Sequence, residues 1–261
     1  MADYDNRYAQ TAPGMSAGTA ATVDEGLRTY MLRVYNYMAG GVALTGLVAY
    51  AIFALAVTND PSLAVAKLRN GVMLTEFGQT MFISPLRWVF VLAPLAFVFF
   101  LSFRVYAMSV GAAQIAFWLF AATMGASLST LGLVYTHSSI ARVFFISAAA
   151  FAALSLYGYT TKKDLSGWGS FLFMGLIGII IAALVNLFLQ SSALQFAISV
   201  IGVLVFAGLT AYDTQQIKDN YYAVMNDAAM TAKAAIMGAL NLYLDLINMF
   251  TSLLSLFGNR E

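Results

Sequence analysis

Residues 234–256 read AAIMGALNLYLDLINMFTSLLSL, an apolar run with a single acid, Asp245, near its middle. A helix needs roughly 20 mostly apolar residues to cross the hydrocarbon layer of a membrane, and this run is long enough. A carboxylate at the centre of such a helix costs about 3 kcal/mol on insertion scales, so it is kept facing protein or water. Asn241, Asp245, Asn248, Ser252 and Ser255 follow one another at intervals of four, three, four and three, which places them on one stripe of a helix. Leu, Ile, Met and Phe cover the remaining faces. Such a helix is best placed at the centre of a bundle, with the stripe lining a polar cavity or hydrogen-bonding to its neighbours.

Six further stretches could span a membrane, at about 33–57, 86–107, 111–135, 140–160, 168–190 and 193–215. The chain as a whole is 61% hydrophobic and 10% charged, where a soluble domain carries about 25% charged residues. Continuous apolar runs rather than alternation argue against a membrane β-barrel. The expected fold is therefore an all-α membrane protein of seven transmembrane helices with the last helix central, occupying residues 27–261. Residues 1–26 are polar and read as a disordered cytoplasmic tail. They lack the basic start and apolar core of a leader peptide, so the first apolar helix is expected to be retained. A net charge of +1 offers no basic footprint for nucleic acid. The absence of Cys excludes disulfide frameworks, thiolate zinc sites and Cys nucleophiles.

Eight of the 13 Lys and Arg fall on the side of the N-terminus, among them Arg28, Arg104, Lys163 and Lys218. That excess favours a cytoplasmic N-terminus and, with seven spans, an outside C-terminus. Two connections are long: 58–84, with the turn signal Asp60-Pro61, and 216–233, which reads as a solvated cytoplasmic helix or loop.

A second acid, Asp213, lies in the last turns of the sixth span, in Tyr212-Asp213-Thr214-Gln215-Gln216-Ile217-Lys218. Read alone it is an interfacial acid, solvated and within reach of Lys218. A helix C-terminus disfavours an anion, so something is expected to compensate it. Were Asp213 to meet Asp245, the two would share a proton and titrate as one unit. Protonated, the pair is a hydrogen bond between helices; deprotonated, it repels and leaves four oxygens for a hard cation such as calcium. Arg104, ending the second span on the same side, either pairs with the acids or snorkels to lipid phosphate. His137, the one His, reads as an interfacial hydrogen-bonding residue. Thr123, Ser127 and Thr130, and the glycines Gly175 and Gly178, read as packing positions.

Tyr212-Asp213-Thr214-Gln215, Leu242-Tyr-Leu-Asp245-Leu-Ile-Asn248 with Met249-Phe250, and Lys162-Lys-Asp-Leu-Ser166 together resemble the Bax inhibitor family, in its bacterial branch. The likeness spans about 28–257 and is most specific in the last two helices. It implies a seven-helix bundle whose last helix is wrapped by the other six, in a prokaryotic inner membrane. It also implies a pH-sensitive calcium leak closed by a di-aspartyl latch, with Asp213 and Asp245 as latch and calcium ligands. Arg104 is the nearest match to an arginine associated with that latch, and Asn241, Asn248 and Ser252 would line or support the path. No cofactor is implied beyond calcium as the transported ion.

Two other classes remain open. Some bacterial relatives are linked to a membrane-bound AAA protease that they modulate by binding, so a membrane regulator without transport is the alternative. An intramembrane aspartyl protease would use two membrane aspartates to activate water. Its Gly-x-Gly-Asp element is missing, because Leu-Tyr-Leu precedes Asp245. A retinal protein needs a Lys within the last span, and Lys233 lies before it. The chain is therefore expected not to be an enzyme.

Overall fold

A computed structural model describes residues 17–68 and 71–259, with the side chains of 17–23 left aside. Of the tail expected over 1–26, residues 1–16 lie outside the described residues. From Ala17 onward the backbone is already helical, so the first helix starts ahead of the expected boundary.

Among the described residues, seven helices are long and apolar enough to cross a membrane, and a further short one lies in the first connection. They are α1 (Ala17–Ala56), the short α2 (Glu76–Phe82), α3 (Arg87–Arg104), α4 (Val110–Leu128), α5 (His137–Thr160), α6 (Ser166–Leu189), α7 (Ser192–Val224) and α8 (Ala228–Phe257). The starts follow local chemistry. Side chains of Thr75, Ser109, Thr136 and Ser191 accept the free N–H groups at the starts of α2, α4, α5 and α7. Asp227 accepts from Ala229 and Met230 at the start of α8. Each cap satisfies a donor that has no partner within its helix.

Of the two forms expected for 216–233, helix or loop, the segment is mostly helix: α7 runs on to Val224, and only Met225–Asp227 separate it from α8. Polar composition marked the segment as solvated, but the stop signal is confined to the Asp227 cap. The connection 58–84 holds structure that periodicity could not reveal. Strands β1 (Val57–Thr58), β2 (Ala66–Lys67) and β3 (Met73–Leu74) form an antiparallel sheet in the order β1-β3-β2. Val57 and Ala66 both face Leu74, and Thr58 and Lys67 both face Met73. Two-residue strands are too short to show an alternation. Gly71, at φ 91°, supplies the left-handed turn between β2 and β3.

Helix α8 is the most buried of the seven spans and the centre of the bundle. It packs most extensively on α7 and also on α1, α5 and α4. The expected enclosure by all six other spans is looser than that: α3 packs chiefly on α4, and α6 on α7. Leu240, Leu242, Tyr243 and Met249 of α8 are buried with Val34 of α1 and Phe117 and Phe120 of α4. Helices α5 and α7 cross at Gly158, where a Cβ would stand 2.2 Å from the Ala211 carbonyl oxygen. Outward-facing positions of α6, such as Phe171, Ile181 and Phe188, are exposed and apolar, as expected of a helix facing lipid.

Candidate functional site: an acid pair between the last two helices

Helices α7 and α8 bring Asp213 and Asp245 together. Asp245 is 4% exposed, and among the described residues Asp213, half-buried, is the titratable side chain whose charge bears on it. The Oδ2 atom of Asp245 is fully buried and has no hydrogen-bond partner. Among the described residues, no backbone or side-chain donor is bonded to either carboxyl group and no cation pairs with them. Unpaired buried carboxylates are costly, so such a pair must hold a proton or draw in a cation.

None of the nearby cations pairs with the acids among the described residues. Lys218 donates to the Tyr159 carbonyl at 3.1 Å, closing the end of α5, and does not reach Asp213. Lys233 donates to the Tyr106 carbonyl at 2.9 Å, tying α8 to the turn after α3. Arg104 is exposed and, among the described residues, forms no ion pair. Its helix α3 packs chiefly on α4, while the turn that follows Arg104, Val105–Ala107, touches α8.

The polar stripe of α8 divides. Asn241 is exposed, whereas Asn248 is half-buried and donates to the Leu244 carbonyl of its own helix at 2.8 Å. Ser252 packs against Gly202 of α7, where a Cβ would meet its hydroxyl at 2.7 Å. Ser252 thus borders the α7–α8 interface, and none of the three donates to the acids.

Several contributors lay outside the sequence reading. The Thr214 hydroxyl donates to the Thr210 carbonyl at 2.7 Å and lies 2.9 Å from the Ser155 hydroxyl. Ser155 in turn meets the Tyr35 hydroxyl at 2.7 Å. A hydrogen-bonded chain thus links α7, α5 and α1 beside Asp213. The available signal was the recurrence of Ser139, Ser147 and Ser155 every eight residues along α5, all of them buried. Buried Gln215 accepts the Leu165 N–H at 2.8 Å and donates to the Lys163 carbonyl at 2.9 Å. It thereby fixes the 161–165 connection, the Lys162–Ser166 motif, against the motif that carries Asp213. In that connection Asp164 accepts the Ser166 N–H at 2.8 Å, and this backbone bond holds its pKa below the usual carboxylate value.

The residues read as packing positions also sort themselves. Gly175 meets Val205, but a Cβ at Gly178 would face open space. Thr123 and Thr130 bond to carbonyls of their own helical turns. His137 packs edge-on against the Phe53 ring, with centroids 5.0 Å apart. Among the described residues no group of three or more His, Cys, Asp or Glu could hold a metal ion.

Residues 27–261 match the model of the family described as inhibitor of apoptosis-promoting Bax1. A protein of Rickettsia prowazekii (strain Madrid E) is 48% identical over 261 residues, covering 100% of both chains. The inner membrane protein YbhL of Escherichia coli (strain K12) is 45% identical over 237 residues, 90% of this chain and 94% of its own. A membrane protein of Streptococcus pyogenes is 34% identical over 238 residues, covering 91% of this chain and 96% of that one.

Proposed function

The chain belongs to the Bax inhibitor family of membrane proteins, and on that premise we propose that it is a pH-sensitive calcium leak channel gated by Asp213 and Asp245. The observation that carries the proposal is the buried Asp245 carboxyl, without a donor or a cation and with Asp213 as its electrostatic neighbour. With one proton between them, two carboxyl groups form a hydrogen bond that holds α7 against α8. Loss of that proton replaces the bond with repulsion at the most extensive helix contact of the bundle, and the helices separate.

The same four oxygens then face the opening. Calcium takes six to eight oxygen ligands, and no third acidic side chain joins the pair among the described residues. Water must complete the shell, which makes the site a weak, transient one suited to passage rather than storage. Asn241, exposed one turn before Asp245, offers a further oxygen towards the N-terminal side.

The location we propose is a bacterial inner membrane, as the name of the Escherichia coli relative states for that protein. We propose a cytoplasmic N-terminus and an outside C-terminus, a reading that the excess of Lys and Arg supports.

The test is calcium entry into dye-loaded proteoliposomes over a pH series, with protein-free vesicles as baseline. The proposal requires flux above baseline that rises as pH rises. Absence of flux at every pH, from protein shown to be folded, would overturn it and favour the regulator that acts by binding a membrane partner.

A further inference from the structure

Helices α1 and α5 both rest on α8, and between them lies an open cavity of about 580 Å³. Its floor includes Phe151 and Leu246, both buried, and its rims carry Leu32 and Leu156, which are 51% and 62% exposed. The rims are thus open to the surroundings of the bundle, which for these spans is lipid. Along α1 the lining runs from Arg28 to Met38. At a rise of 1.5 Å per residue that is about 15 Å, half of a hydrocarbon core of roughly 30 Å. The groove therefore matches the depth of one leaflet.

Its polarity has a direction. The deep end, around Met38 and Ala148, is apolar. The other end, about three turns into α1 and at the end of α5, is lined by the exposed Arg28 and by Tyr159. Lys218 lies over the Tyr159 ring, 6.0 Å from its centroid, and brings a second cation to that end. No carboxylate is among the lining residues; Asp24, one turn before Arg28, and Asp219, next to Lys218, are exposed outside the groove, and Arg28 forms no ion pair among the described residues.

We propose that this groove is a binding site for one anionic phospholipid, with an acyl chain lying between α1 and α5 and the phosphate held at Arg28 and Lys218. Hydrocarbon satisfies the apolar walls, which water would not. The lipid headgroup supplies the anion at the depth where both cations end, and basic side chains beside anionic headgroups are favoured. The proposal concerns binding alone and stands apart from the calcium reading.

Native mass spectrometry of the full chain, purified free of lipid, tests it with phosphatidylglycerol and phosphatidylethanolamine of identical acyl chains. Wild type is expected to take up one phosphatidylglycerol saturably and in preference to phosphatidylethanolamine. Ala152→Phe fills the groove from an exposed lining position and should abolish the saturable binding of both lipids. Arg28→Gln should lower the preference for phosphatidylglycerol by about fivefold, the weight of one basic side chain at a headgroup. Arg28 is a surface residue, so that variant decides the matter if Ala152→Phe does not fold. Folded Ala152→Phe that binds lipid as wild type does, or Arg28→Gln with an undiminished preference, would overturn the proposal.

Discussion

Tyr243 of α8 and Thr45 of α1 are joined by a 2.7 Å hydrogen bond inside the bundle. The single Thr45 hydroxyl proton is shared between the carbonyls of Gly41, at 2.9 Å, and Ala121, at 2.8 Å. One hydroxyl therefore ties the central helix to α1 and α4. Tyr243 also meets Phe120 edge-on, with ring centroids 5.1 Å apart.

The two ends of that bond should differ in weight. Tyr243→Phe leaves the Thr45 hydroxyl its carbonyl partners and should cost about 0.5–1.5 kcal/mol. Thr45→Val removes the shared link and strands the Tyr243 hydroxyl in a buried place, at a cost of about 1–3 kcal/mol. Unfolding of both variants in detergent checks the order; an equal loss would contradict it.

Two glycines make a paired test of the packing. At Gly158 a methyl group would collide with the Ala211 backbone, so Gly158→Ala must push α5 from α7 and should cost about 1–3 kcal/mol. At Gly178 nothing lies within reach, so Gly178→Ala should gain about 0.5–1 kcal/mol from helix propensity alone. Thermal unfolding of the two should shift in opposite directions.

Gln215 holds the 161–165 connection through two backbone bonds. Gln215→Leu should speed amide hydrogen exchange at Leu165, while the core of α8 stays protected. Unchanged exchange at Leu165 would show that the connection is held by other means.

Arg104 points to a divergence between resemblance and geometry. Without an ion pair among the described residues, and on a helix that packs against α4, it should not set the response of the acids. Arg104→Gln is expected to leave the pH profile of calcium flux unchanged; a displaced profile would return Arg104 to the gate.

The sequence made the seven spans legible because continuous apolar runs are long and unambiguous. The stripe around Asp245 likewise pointed to a central helix, because an acid in lipid has few places to go. The extent of α7 past Gln215 was hidden, since a polar helix leaving the membrane resembles a loop until its cap at Asp227 is weighed. The fate of Lys218 and Arg104 was hidden for another reason: a charge beside an acid in sequence says nothing of which way its helix faces. Thr214 and Gln215 stood inside the motif that marked Asp213, yet their partners, Ser155 and Leu165, come from a distant part of the chain. Contacts of that kind exist only once the helices are packed.

If Asp213 and Asp245 act as one gate, calcium flux into proteoliposomes across a pH series, for wild type, Asp213→Asn, Asp245→Asn and the double variant, reveals it. Either single substitution should abolish the pH response, and the double variant should add nothing further. Single variants that each keep a pH response, with effects that add in the double variant, would contradict it.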